Sequence, residues 1–218
     1  MVDRFYPAMR RLKEIVDSGE LGTLTKIEAN LAVPSGFIKD NDNCMVYELG
    51  GGCMMDMGCE FDSTIFAQVS HDGPGLIGYT LSMSRYLSGA DPTKVITAKA
   101  ETHPKFPRID LATTATLAFP IPGESTGTAD GLTATLNVIF RLPPRFGFIP
   151  QWPKVSMRAI GTRGVVELSD FVPWIYHNIN VESSKEEGGP LRKRTEKRYS
   201  DRRPKAGGRP TIRRMLFV

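Results

Sequence analysis

Apolar and polar residues alternate with a period of two along much of this chain. Over residues 24–33, Ile27, Ala29, Leu31 and Val33 point one way and Lys26, Glu28 and Asn30 the other, while Leu24 stands apart. That pattern predicts a strand buried on one face. Residues 94–101, 111–119 and 131–141 are rich in β-branched side chains. In the last of them Leu132, Ala134, Leu136, Val138 and Phe140 share one face, with Thr133, Thr135 and Asn137 opposite. Further strands are predicted at 154–159, 164–168 and 174–182, with Gly161-Thr162-Arg163-Gly164 turning the first pair. The period lengthens at residues 5–17, where Phe5, Met9, Leu12 and Val16 fall on one side of a helix. Pro7 suits its first turn and Ser18-Gly19 ends it.

Two interruptions stand out. Residues 36–46, with Asp40-Asn41-Asp42-Asn43, read as a polar loop. Residues 142–153 hold four prolines and cannot pair regularly, because proline has no N–H to give a ladder.

Composition narrows the class. At 218 residues and 40% apolar, the chain is long enough to bury a substantial core. No apolar run approaches a membrane span and no secretory leader pattern is visible, so a cytoplasmic protein is expected. Cys44, Cys53 and Cys59 are odd in number and form no Cys-x-x-Cys pair, so reduced thiols are expected rather than a metal site. The net charge of +4 is uneven: residues 190–218 hold eleven Lys/Arg against two Asp/Glu, and the remainder is mildly acidic. The basic character is therefore assigned to a tail, disordered from about Asp201. It is solvated, or an out-of-frame end of the gene model, or less simply an anionic-surface patch. Nucleic-acid binding by the body is not expected.

The chemistry concentrates at Gly50-Gly51-Gly52-Cys53-Met54-Met55-Asp56-Met57-Gly58-Cys59. Three glycines let backbone approach a ligand or another element closely. The apolar run after them reads as the start of a buried helix, and an ionisable Asp56 inside it is either paired locally or functional. Glu60 would share its helical face, and two carboxylates so close raise one pKa.

This stretch resembles the signature of the Gfo/Idh/MocA oxidoreductases, and within them the branch of NADP-dependent D-xylose dehydrogenases and dimeric dihydrodiol dehydrogenases. Arg4-Phe5-Tyr6-Pro7-Ala8, Glu14-Ile15-Val16-Asp17-Ser18-Gly19-Glu20-Leu21-Gly22 and Gly161-Thr162-Arg163-Gly164 match in the same order. The resemblance implies the C-terminal domain: an α+β fold with an open, predominantly antiparallel sheet and helices on one face, over residues 1–200. It implies Asp56 and Tyr79 as catalytic, with Arg4, Tyr6 and Glu60 near the substrate. Tyr6 stands where the family carries His. Tyr79 takes the family tyrosine's place only if residues 60–78 are looped out, for the family expects that tyrosine directly after Cys59. Residues 60–78 are read as an insertion or a retained intron: Cys59-Glu60-Phe61 can be encoded with a splice donor and Ile77-Gly78 with an acceptor AG.

The resemblance also implies a sugar or dihydrodiol substrate, a homodimer through the free sheet face, and NADP in the full-length enzymes. No NADP is expected to bind this chain alone, because neither a Gly-x-Gly-x-x-Gly after a first strand nor the family's Glu-Lys-Pro lysine is found. The chain is thus expected to be a substrate-binding half, inactive by itself. Two alternatives stay open: a cofactor-free isomerase or cyclase using Asp56 and Glu60, and a non-catalytic dimerisation partner. His71 and His103 are expected in surface loops, and His177 as a structural residue on a strand.

Overall fold

The computed structural model describes residues 7–58, 79–120, 131–169 and 177–198. The fold is α+β, with open, predominantly antiparallel sheet and helices on one face, as the sequence predicts. The chain divides into two compact units, Ile27–Lys154 and Val2–Lys26 with Val155–Val218.

The first unit holds most of β1 (Leu24–Pro34), then α2 (Tyr79–Ser88), β2 (Lys94–Thr102), β3 (Asp110–Phe119) and β4 (Leu132–Leu142). Its strands lie in the order β2-β3-β4-β1. β2 and β3 pair antiparallel, as do β3 and β4, the latter from Phe119 opposite Leu132 to Ala112 opposite Ile139. The alternation in β4 is obeyed residue by residue: Leu132, Ala134, Leu136, Val138 and Phe140 are buried. Burial of each large apolar side chain contributes about 1.5–3 kcal/mol, which fixes the register, since a one-residue slip would expose all of them. In β1, Ile27, Ala29, Leu31 and Val33 are buried as expected, with Ala32 beside them. Helix α2 packs on β4, with Met83, Ser84 and Leu87 buried, and the Ser84 hydroxyl donates to the Thr80 carbonyl at 2.7 Å. The edge strand β2 is exposed along its whole length.

The second unit carries α1 (Pro7–Asp17) and the strands β5 (Lys154–Gly161), β6 (Gly164–Ser169), β7 (His177–Ser183) and β8 (Arg192–Arg198), paired antiparallel in that order. Helix α1 packs on β6 and β7 with Ala8, Met9, Leu12 and Ile15 buried. Ile15 thus takes the place expected of Val16, because a helix face advances by three and four residues in alternation. The β5–β6 turn is the predicted Gly161–Gly164 element. His177 lies buried on β7, as expected.

Two corrections follow. The basic stretch assigned to a tail begins with a strand, β8, which completes this sheet. Its charges hid its pairing: Arg194 ion-pairs with Glu20, Nη2 to Oε2 at 2.8 Å, and Arg11 on α1 grips Glu196 with two hydrogen bonds of 3.0 Å. His103 is also not a surface residue. It is 2% exposed, stacked on Phe106, and its Nδ1 accepts the backbone N–H groups of Lys105 and Phe106 at 3.0 and 3.2 Å. Residues 60–78 and 201–218, with the intron and tail expectations, lie outside the described residues, as does His71.

Candidate functional site

The glycine stretch is built against its own chain. Two short 3₁₀ turns, Asn43–Met45 and Tyr47–Leu49, lead into it, and Gly50 closes the second with a positive φ of 78°. Gly51 N–H donates to the Val46 carbonyl at 2.9 Å, and Gly52 N–H to the Cys44 carbonyl at 2.9 Å. A Cβ on Gly51 would lie 2.7 Å from both the Cys44 and Val46 carbonyl oxygens. At Gly52, with φ of 122°, it would lie 2.2 Å from Oδ1 of Asp110. The glycines therefore admit neighbouring protein atoms. At Gly51 and Gly52 that leaves no open cradle for a phosphate.

The predicted helix start is present, but as a π-turn, Met54–Gly58, following directly on Cys53. Such turns are rare and concentrate at functional sites. Within it the Asp56 N–H donates to the Gly52 carbonyl at 2.9 Å. The Asp56 side chain is half-buried. Burial pushes its carboxyl above the ordinary aspartate value, a hydrogen bond from the Cys44 thiol works the other way, and the charge of Asp42 raises it further. Burial, with the charge of Asp56 next, likewise holds the Cys44 thiol above its usual range. Cys44 and Cys53 are both free thiols.

What fixes the turn is a residue the sequence did not single out. Asp110, the first residue of β3, accepts the Met54 N–H at 3.0 Å and the Cys53 thiol at 3.0 Å through Oδ2, and the Thr113 hydroxyl reaches the same oxygen. Cys53 is fully buried, its thiol raised first by desolvation and then by this carboxylate. An aspartate opening a strand carries no local signal of a contact to a turn over fifty residues earlier.

Of the residues expected at the site, Asp56 is placed as predicted on a helical turn beside the glycines. Tyr79 opens α2, which packs against the π-turn, though its side chain lies outside the description. Arg4, Tyr6 and Glu60 are outside the described residues, so the Asp56–Glu60 pair has no geometry here. Among the described residues no group of three or more His, Cys, Asp or Glu could hold a metal ion, and no described helix is long and apolar enough to cross a membrane.

The spacing Gly-x-Gly-x-x-Gly does occur in the sequence, at Gly73-Pro74-Gly75-Leu76-Ile77-Gly78, which corrects the expectation that it is lacking. It too lies outside the described residues. A dinucleotide fingerprint must follow the first strand of a parallel βαβ unit; the described element before this one is the π-turn.

An open antiparallel sheet with a helix on one face, and a glycine-anchored π-turn carrying a half-buried acid, define an α+β domain. Residues 9–60 match the family model of the GFO/IDH/MocA C-terminal domain. Among solved structures, the chain is similar to an aldose-aldose oxidoreductase from Caulobacter crescentus complexed with glycerol, at 20% identity and a TM-score of 0.59 over 95% of this chain and 47% of that one. It is also similar to KijD10, a 3-ketoreductase from Actinomadura kijaniata in complex with NADP and TDP-benzene, at 15% identity and a TM-score of 0.60 over 89% of this chain and 47% of the other. A third is an oxidoreductase domain protein from Kribbella flavida, at 13% identity and a TM-score of 0.57 over 88% of this chain and 44% of that one. At these identities the likeness is one of fold, and the chain spans less than half the length of these structures. Comparison with curated protein sequences found no match. Matched segment and fold agree in pointing to the same likeness, a fold like that of the Gfo/Idh/MocA C-terminal domain.

Proposed function

We propose that this chain is the substrate-binding half of an NADP-dependent dehydrogenase acting on a sugar or a dihydrodiol. The observation that carries the reading is the half-buried Asp56 on the π-turn after the glycines, with its carboxyl held above the ordinary range. A carboxyl in that condition is a stronger base than a solvated one, and it can accept a hydrogen bond from a substrate hydroxyl. Asp56 binds and orients the hydroxyl. Tyr79, at the head of the helix packed on the same turn, takes its proton. Removing residues 60–78 would join Tyr79 to Cys59, and sequencing the transcript across those codons tests whether they are an insertion or a retained intron. The nucleotide would be held by residues beyond those described, and a second copy would cover the free face of the sheet, making a cytoplasmic dimer.

The test is binding and turnover by the purified chain. Titration calorimetry with aldoses and with a cyclic dihydrodiol should find a ligand whose affinity falls about tenfold in Asp56→Asn, the size of a lost hydrogen bond to a charged group. Reduction of NADP by the chain alone would refute the reading. Turnover without any nucleotide would favour a cofactor-free isomerase instead.

A further inference from the structure

A helical turn leaves its first N–H groups without intrahelical partners, and the residue ahead of it commonly supplies a side-chain acceptor. Here that residue is Gly52–Cys53, which offers none: glycine has no side chain, and the Cys53 thiol is itself a donor, to Asp110 at 3.0 Å. The acceptor arrives from another element. Asp110 Oδ2 receives the Met54 N–H, the Cys53 thiol and the Thr113 hydroxyl together, and Oδ1 occupies the space that a side chain at position 52 would need. The Cys53 thiol also reaches the Val138 carbonyl of β4, at 3.5 Å.

We infer that Asp110 is the positioning residue of this site: it caps the π-turn from β3 and thereby fixes where Asp56 stands. The inference deepens the proposed function and rests on it for the meaning of Asp56, but the geometry stands without a substrate. Three donors on one oxygen fix the start of the turn at Cys53 and Met54. Asp56 follows two residues later, and its own N–H is tied to Gly52 within the same anchored segment. The third glycine is then required by the carboxylate of Asp110, since any side chain there would displace it. A loosened cap would let water reach Asp56, which the Cys44 thiol and the Asp42 carboxylate of the loop before the glycines also influence.

The experiment is a pH titration of Asp56 followed by NMR of the carboxyl carbon in the full chain, assigned through Asp56→Asn. Asp110→Asn keeps one acceptor oxygen and the size of the side chain but removes the charge; Thr113→Val removes one donor. In Asp110→Asn the Asp56 midpoint should fall toward that of a solvated aspartate, and in Thr113→Val it should fall less. Arg194→Ala, a destabilising change in the other unit, should leave it unmoved, which separates positioning from general loss of stability. A midpoint unchanged in both site variants overturns the inference. If Asp110→Asn fails to fold, Thr113→Val and the hydrogen-exchange rate of the Met54 amide decide it: faster exchange with a shifted midpoint supports the cap, and no change in either refutes it. Because no ligand is present, failure to bind a sugar would count against the proposed function and leave this result untouched.

Discussion

Two carboxylates, one in each unit, are pushed in opposite directions by their surroundings. In the second unit Glu20 follows α1 and meets Arg194 of β8, with the Ser183 hydroxyl donating at 2.7 Å; the arginine's hydrogen bonds hold its carboxyl below the usual range, against a smaller cost of burial. In the first unit Asp56 has a thiol and another acid nearby, and burial holds it above. Glu20 closes a network that ties helix to strand. Asp56 is kept in a state that costs stability once its proton is lost. The surfaces differ likewise. Exposed large apolar side chains, among them Phe37, Tyr47, Leu49, Met55, Phe146, Phe148 and Trp152, belong to the first unit, and the second exposes only Leu191 among the described residues. Long irregular connections carry them. The second unit joins β5 to β6 by a tight turn and leaves little unpaired.

The comparison can be pressed by substitution. The largest effect is expected in the core of the first unit: Phe140→Ala empties a fully buried site on β4 and should cost about 4 kcal/mol in chemical denaturation. If it costs no more than a surface change, the first unit is not a packed domain. Gly52→Ala comes next, at about 3 kcal/mol, because it combines a strained backbone with a clash against Asp110. Arg194→Ala should cost about 1 kcal/mol, since the pair is part-exposed and screened by solvent. The loss should be read as a lower urea midpoint at neutral pH.

The pH dependence sharpens the contrast. Glu20's carboxyl is depressed in the fold, so its contribution is present above the unfolded pKa and is lost as pH falls through the folded one. Asp56 has the opposite sign. Its raised carboxyl binds the proton more tightly folded than unfolded, so its contribution declines as pH rises from the unfolded pKa through the folded one. Asp56→Asn should therefore remove part of that decline and raise the melting temperature at neutral pH while weakening ligand binding. A lowered melting temperature would show that Asp56 is structural. The smallest effect is expected at Trp152→Ser, within about 0.5 kcal/mol, because the side chain is 87% exposed.

Alternation along the chain was enough to place β1 and β4 and to name their buried faces, because a period of two leaves one consistent way to hide Ile27, Ala29, Leu31 and Val33, or Leu132 through Phe140. It was enough to mark the glycine stretch and Asp56 as special, since an acid among apolar neighbours is costly unless something specific surrounds it. Sequence alone left β8 unread, because an edge strand that pairs its arginines with Glu20 and holds Glu196 against Arg11 has the composition of a solvated tail. It likewise put His103 on the surface, where the fold buries it by turning its Nδ1 onto backbone N–H groups.

Local pattern determined β1 and β4 and which face of each is apolar, for that depends on residues only a few positions apart. The cap on the π-turn was decided by tertiary structure. Asp110 and Gly52 meet only because β3 is threaded beside the glycine stretch, and a hydrogen bond between residues so distant in the chain leaves no period, spacing or composition by which to foresee it.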